Sequence, residues 1–411
     1  MQGARISGFD CLGRFYTVAE TSDLLVEQLA DRQFSKGAPD SVVDLGCGAG
    51  VLSKAVARRW STSRLITVDV DRSAGRVARM SLASHGRHHH ISGCALDIDL
   101  PSRIASVGGV CDMAVCNPPF VSPEWRPEFS EILLGAGLGR KLPANSLIEA
   151  PELFLAQNLR VLSTNGRLGI ILPDSHISAK RYRWFRESLL LNFFVKKVIK
   201  LPRGSFEGTD ALGHILIVEK APSASNTVEL GVLRNGVPIS ICSVDLDRCV
   251  DRMDGEYHQK INSDHARAQR LTSILGDVGT VCRGGIENAR AKLASVRVVH
   301  TTDLPCDRVG EWLDFPECSY GDGELPGVDI ALPGDILLAR VGRNLSEKIV
   351  GVKSGRIAIS DCVYRIRVPE RHRVRLLRKL SSRSGREWLR VNSYGVGAAQ
   401  LPKSALLGFT F

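Results

Sequence analysis

Between Ser41 and Lys220, short apolar β-branched runs alternate with amphipathic stretches, and this alternation restricts the fold more than any other property of the chain. Strands separated by helix-length amphipathic segments imply βαβ units and a mostly parallel sheet. The runs 41–45, 65–70, 91–96, 113–116, 166–173 and 195–201 predict strands, and 213–219 predicts an antiparallel edge strand. Segments 52–59, 73–84, 150–162 and 181–191 predict the intervening helices, with a leading helix over 21–34. The expected fold class is α/β, a Rossmann-like doubly wound sheet. A chain of 411 residues, 44% hydrophobic, exceeds one ordinary domain. The texture changes twice. Residues 221–253 are short polar and β-branched pieces around an Asn235-Gly236 turn, either an extension of the first domain or a linker. From about Gly255, short strands separated by Gly, Pro and Asp turns predict a separate mixed α+β domain, so the expected division is 1–254 and 255–411.

The first strand runs into Asp44-Leu45-Gly46-Cys47-Gly48-Ala49-Gly50 and then a helix. Glycines here allow a tight turn and close approach of the backbone to a ligand at the helix N-terminus. Asp69 ends the next strand, where a carboxylate accepts from both hydroxyls of a ribose. Asp97 is expected to end the third, where it or the amide of Ile98 reaches an adenine. The spacing Gly-x-Gly-x-Gly after an acid is not that of a dinucleotide fingerprint. Asp44 would repel a pyrophosphate but suits a cationic ligand with an amino-acid end. S-adenosyl-L-methionine carries both a sulfonium and an ammonium.

Downstream stands Asn117-Pro118-Pro119-Phe120. An Asn amide oxygen and the carbonyl preceding a Pro-Pro pair can accept both hydrogens of an exocyclic amine while an aromatic ring stacks on the base. The amine lone pair then faces an electrophile. Asn-Pro also begins ordinary turns, so its place after a glycine-rich loop carries the argument.

With both motifs in this order, the stretch 13–220 resembles the γ class of adenine-N6 DNA methyltransferases. Gly13-Arg14-Phe15-Tyr16-Thr17 is similar to that family's N-terminal motif, which closes over the methionine end of the cofactor, with Val18 where the family has Pro. The resemblance implies S-adenosyl-L-methionine as cofactor, in a pocket lined by Thr17, Asp44, Gly46, Gly48, Gly50, Asp69, Val70, Asp97, Ile98 and Phe154. It implies catalytic roles for Asn117, Pro118, Pro119 and Phe120, with Asn117 and Pro119 bordering both pockets. Phe206, in Ser205-Phe206-Glu207-Gly208, matches the aromatic of a later family motif and is the candidate for the edge or opposite face of an extruded base.

Charge is uneven. The chain is +10 overall, yet Arg340 to Phe411 alone holds 16 Lys and Arg against 4 Asp and Glu, leaving the remainder slightly negative. A localised basic surface fits a polyanion, although charge runs are also ordinary solvated faces. Segments 275–279, 299–304, 334–345, 358–367 and 395–401 resemble the target-recognition domain of type I restriction specificity subunits. That likeness implies double-stranded DNA as partner, with Arg340 and Arg343 first, then Lys348, Lys353, Arg365 and Arg367, on phosphates and base edges. For each of them an exposed strand position is the plain alternative. No nuclease motif precedes Gly13, so the resemblance leaves cleavage to a separate restriction endonuclease or translocase subunit.

Other candidates reduce to structure. Eleven cysteines without a Cys-x-x-Cys pair argue against a disulfide framework and a zinc site. No metal is expected: His85, His88, His89 and His90 read as a polar surface loop before the third strand. Cys47 and Cys116 lack a neighbouring His and read as packing. The absence of a basic-then-apolar N-terminus and of an eighteen-residue apolar run reads as a soluble cytoplasmic protein with no membrane partner. Two rivals stand beside the DNA reading. Asn-Pro-Pro-aromatic also serves guanine-N2 RNA and glutamine protein methyltransferases, and a DNA-binding protein could retain a degenerate enzyme fold.

Overall fold

The strand-and-helix alternation builds one nine-stranded sheet from β1 (Ser41–Leu45), β2 (Arg64–Asp69), β3 (His88–Ser92), β4 (Cys111–Cys116), β5 (Leu162–Pro173), β6 (Phe194–Lys200), β7 (Gly213–Glu219), β8 (Thr227–Arg234) and β9 (Val237–Asp245). The computed structural model describes residues 17–30, 38–139, 142–143, 147–267, 273–287, 297–317 and 329–411, so Gly13 to Tyr16 of the N-terminal motif lie outside the described residues. Two compact units emerge, Met1–Gly255 and Glu256–Phe411.

In the first unit the sheet order is β3-β2-β1-β4-β5-β7-β6-β8-β9. Strands β3 to β5 are mutually parallel, and all five residues of β1 are buried, as a central strand covered on both faces requires. The helices are α1 (Ala19–Leu29), α2 (Val51–Arg59), α3 (Arg72–Ser81), α4 (Leu100–Gly108), α5 (Glu128–Gly135), α6 (Ala150–Val161), α7 (Asp174–Ser178), α8 (Arg183–Asn192) and α9 (Leu246–Asp251). Helix α1 packs on α2 and on β5, where a side chain at Gly169 would strike Leu25 and Leu29.

Three expectations are corrected. β7 is antiparallel but internal, inserted between β5 and β6, because β8 and β9 continue the sheet beyond β6. The third strand starts three residues earlier than the apolar pattern suggested. His88, His89 and His90 pair with Leu65, Ile66 and Thr67, and the Thr67 hydroxyl lies 2.9 Å from both His88 Nε2 and His90 Nδ1. His85 is buried with its ring 2.8 Å from the Ser63 carbonyl, so the cluster is sheet structure and not a surface loop. Among the described residues no group of three His, Cys, Asp or Glu could hold a metal ion.

Residues after Lys220 extend the first unit. Asn235 and Gly236 take φ of 51° and 76°, the two left-handed positions that close a tight β8–β9 hairpin. Arg186 on α8 is fully buried and donates to the carbonyls of His176 (2.7 Å), Ala179 (3.1 Å), Val250 (2.9 Å) and Asp251 (2.7 Å). Burial pushes its pKa down to about 9. One side chain thus ties the end of α9 to the segment leaving β5.

The second unit contains α10 (Gly255–Arg267), α11 (Leu275–Val278), β10 (Thr280–Arg283), β11 (Val298–Val299), β12 (Trp312–Glu317), β13 (Ile330–Ala331), β14 (Ile336–Ala339), β15 (Val341–Gly342), β16 (Ile349–Ile359), β17 (Val363–Arg367), α12 (Glu370–Ser381), α13 (Arg383–Asn392) and β18 (Ala399–Gln400). Its principal sheet runs β10-β17-β14-β16-β11, with β12 and β13 also pairing along β16. Leu376, Leu377 and Leu380 of α12 and Leu389 of α13 are packed into a core with the inner residues of β14, β16 and β17. Among the described residues no helix is long and apolar enough to cross a membrane.

Candidate active site

At the carboxyl end of β1 the chain must turn sharply into α2. Gly46 takes φ 72° and packs so near Phe154 that a Cβ would sit 3.0 Å from the ring. Its amide and that of Cys47 both donate to the Val68 carbonyl (2.8 and 3.1 Å), binding the loop to β2. Asp69, at the end of β2, completes the brace. Its Oδ2 accepts from the Gly48 amide at 2.7 Å and its Oδ1 from the Asp71 amide at 2.8 Å. Each oxygen keeps a second lone pair for a hydroxyl donor.

Asp44 is 1% exposed, and Ser53 of α2 donates to its Oδ2 at 2.6 Å. Its Oδ1 is buried with no partner among the described residues. Burial pushes the carboxyl pKa up to about 7, with the charge of Asp69 adding to it and the Ser53 bond opposing. A cation placed against Oδ1 would restore ionisation. That orphaned atom fits the ammonium of S-adenosyl-L-methionine, as the paired oxygens of Asp69 fit its ribose.

A cavity of about 400 Å³ opens between these groups, and Thr17, Asp44, Gly46, Gly48, Asp69, Val70, Asn117, Pro119 and Phe154 lie on its wall. Gly50 stands at the N-terminus of α2, with φ 79°, where a Cβ would meet Ala78 at 3.4 Å. Asp97 and Ile98 fall outside the cavity lining. Because β3 ends at Ser92, the loop after it brings Cys94, Ala95 and Leu96 to the wall instead. The Asp97 carboxylate turns to Arg103 (3.3 Å) and Arg126 (3.8 Å). Arg126 also donates to the Leu96 carbonyl at 3.0 Å, so the segment after Phe120 holds the wall loop in place. Nothing in the sequence pattern marks Arg126 or Cys94. Their roles depend on where β3 stops.

Asn117 leaves the carboxyl end of β4, and its Nδ2 donates to Thr17 Oγ1 at 2.8 Å. Thr17 bridges in turn to Phe206 of the backbone, and the Phe120 ring meets the Phe206 ring edge-on, with centroids 6.2 Å apart at 77°. Thr17, Asn117, Phe120 and Phe206 therefore form one connected group. Phe206 is 2% exposed and lies over Gly213, so it braces Phe120 by its edge and offers no free face for a base. Pro118 is buried beneath the loop. The thiols of Cys47 and Cys116 are pushed well above their usual range by burial, which keeps them protonated and unreactive.

Sequence reasoning missed a buried polar layer. His176 and Glu152 meet at 3.0 Å with neither side chain exposed. Asp254 takes Lys200 at 3.1 Å and Arg252 at 3.2 Å. Burial alone would raise the Asp254 carboxyl, but those two cations and His214 hold it far below its usual value. His214 is itself pushed down to about 4 by burial. His214, alone among the apolar residues of β7, was the available signal.

In the second unit the leading candidate is corrected. Arg340 is buried, donating through Nε to the Asp361 carbonyl at 2.7 Å with its Nη2 3.8 Å from that carboxylate. Arg365 pairs with Asp329 at 3.1 Å and Arg367 with both oxygens of Asp335 at 2.7 Å. Lys348 donates to the Thr301 carbonyl, while the exposed Lys353 lies 3.6 Å from Asp314. Arg343 is exposed after β15. Arg340, Lys353, Arg365 and Arg367 thus each face an aspartate.

Residues 16–130 match the family described as Methyltransferase small domain. The ribosomal RNA small subunit methyltransferase C of Pseudomonas paraeruginosa (strain DSM 24068 / PA7) is 35% identical over 142 residues, covering 32% of this chain and 39% of that protein. A release factor glutamine methyltransferase of Chlorobaculum tepidum is 32% identical over 101 residues, covering 24% and 34%. The chain thus spans under two fifths of the length of these two relatives. Among solved structures, the type IIG restriction endonuclease BpuSI aligns with TM-score 0.53 at 13% identity, over 98% of this chain and 59% of that one, a likeness of fold. The first unit carries the α/β fold of S-adenosyl-L-methionine-dependent methyltransferases, and S-adenosyl-L-methionine is its cofactor.

Proposed function

We propose that the chain is a sequence-specific DNA adenine-N6 methyltransferase, the modification component of a restriction-modification system, acting on an adenine turned out of duplex DNA. The observation that carries this reading is extent. The family match is confined to residues 16–130 and the RNA and protein methyltransferase relatives cover 32% and 24% of the chain, whereas the fold likeness to a restriction endonuclease covers 98% of it. A separate nuclease or translocase subunit would complete such a system.

The cofactor supplies an electrophilic methyl group. Adenine N6 is a poor nucleophile because its lone pair is delocalised into the ring. Asn117 donates its amide N–H to Thr17, which would leave the amide oxygen to accept from an incoming amine. With the Pro118 carbonyl it would accept both N6 hydrogens and favour the amine-like geometry as charge develops. The Phe120 ring, braced by Phe206, bounds the base. Asp44 and Asp69 would hold the cofactor, which would supply a methyl group whose C–S bond breaks as its bond to N6 forms, and the product nitrogen would lose its proton to water. No buried base is required.

The test is methyl transfer from labelled S-adenosyl-L-methionine to duplex DNA, ribosomal RNA and release factor offered in parallel. Label is expected in DNA adenine alone. Asn117→Ala should lower turnover by about 10²–10³-fold while sparing cofactor affinity relative to Asp69→Ala. Label only in RNA or protein rejects the proposal.

A further inference from the structure

The positive charge of the second unit resides elsewhere than its sheet. Arg340, Arg365 and Arg367 are neutralised by Asp361, Asp329 and Asp335. By contrast, Glu370 to Asn392, which is α12 and α13, holds eight Lys and Arg against two Asp and Glu. Helical pitch places Arg371, Arg375, Arg378 and Lys379 opposite the buried Leu376, Leu377 and Leu380. Arg375 is committed to the Phe411 carbonyl and the Ser273 hydroxyl. Arg371, Arg378, Lys379 and Arg383 are exposed and have no carboxylate partner among the described residues.

Fold stability does not account for this face. Cations in a last turn complement the helix dipole, which covers Arg378 and Lys379, but Arg371 and Arg383 stand in first turns, where a cation opposes it. The corner is also tight. A side chain at Gly385 would collide with the carbonyls of Lys379 and Leu380, and Ser382 caps α13 through the Gly385 amide at 3.1 Å, which brings Arg383 close to the end of α12.

We infer that the outer face of α12 and its corner with α13 dock the phosphate backbone of duplex DNA. This rests on the function proposed above and names the surface through which the second unit holds its substrate. Phosphate contacts fix position and register without reading sequence. Base discrimination then belongs to other parts of the unit.

The full chain carrying Arg378→Gln, Lys379→Gln and Arg383→Gln together tests it, by association with a duplex of random sequence across 50–200 mM salt. Each phosphate contact contributes about 0.9 to the slope of log K against log salt, so the triple variant should lose about 2.7. Methylation should keep the same site preference, and thermal unfolding and cofactor binding should match the parent. Arg371→Gln provides a second variant at the far end of α12, expected to lose about 0.9 of slope. Parent-like slopes in both variants overturn the inference while leaving the function standing. A parent that binds no duplex overturns both.

Discussion

Two buried carboxylates, Asp335 in the second unit and Asp44 in the first, are treated in opposite ways. In the second, Asp335 takes both Arg367 nitrogens and the Leu332 amide at 2.7–2.8 Å, leaving nothing unsatisfied. In the first, Asp44 keeps one oxygen without a partner beside a cavity, at the expense of a carboxyl that ionises only near pH 7. A closed ion pair belongs to the architecture. An open carboxylate of the same burial is a position reserved for a cation from outside, and net charge by itself cannot distinguish them.

Breaking the closed pair should have the largest effect. Arg367→Met strands Asp335, which is almost fully buried, and is expected to destabilise the second unit by about 3 kcal/mol or more in denaturant unfolding. A smaller loss would show that Asp335 is better hydrated than its burial implies. Asp44→Asn tests the opposite case. It should leave the unfolding temperature at or above the parent's at pH 8, yet weaken S-adenosyl-L-methionine binding by about tenfold in calorimetry, the worth of one charge-assisted bond. The pH profile sharpens this. Because the free carboxyl is protonated below about 7 and an ammonium favours its ionised form, binding releases a proton there. Affinity should rise with pH up to about 7 and level off above, and Asp44→Asn should flatten the rise. Without cofactor the sign reverses: a raised carboxyl pKa means that stability falls from about pH 4 to about 7 and then stays level. The smallest effect belongs to Lys353→Ala. Its exposed contact with Asp314 is screened by water, and no shift in the unfolding temperature should be measurable.

Much of the first unit was legible because its signals are local. A glycine turn between a buried strand and a helix, an acid ending the next strand and Asn117-Pro118-Pro119-Phe120 ending the fourth each report their own backbone geometry. The wall at Cys94 to Leu96 was not legible, since histidines form β3 and an apolar count starts that strand too late. Neither was the internal place of β7: alternation reveals that a strand is buried, not which strands flank it. Arg340 shows the same limit for charge. A cation can be counted from sequence, but its partner Asp361 comes from a turn whose position only the fold determines.

Arg186 has a practical consequence for anyone shortening this protein. A fragment ending at Lys220, where the strand-and-helix alternation stops, would keep every residue around the cavity and look catalytically whole. It would also withdraw the Val250 and Asp251 carbonyls from a guanidinium that cannot reach water, and Asp254 from Lys200. Such a piece should precipitate when expressed, and the smallest soluble one has to run past Asp254.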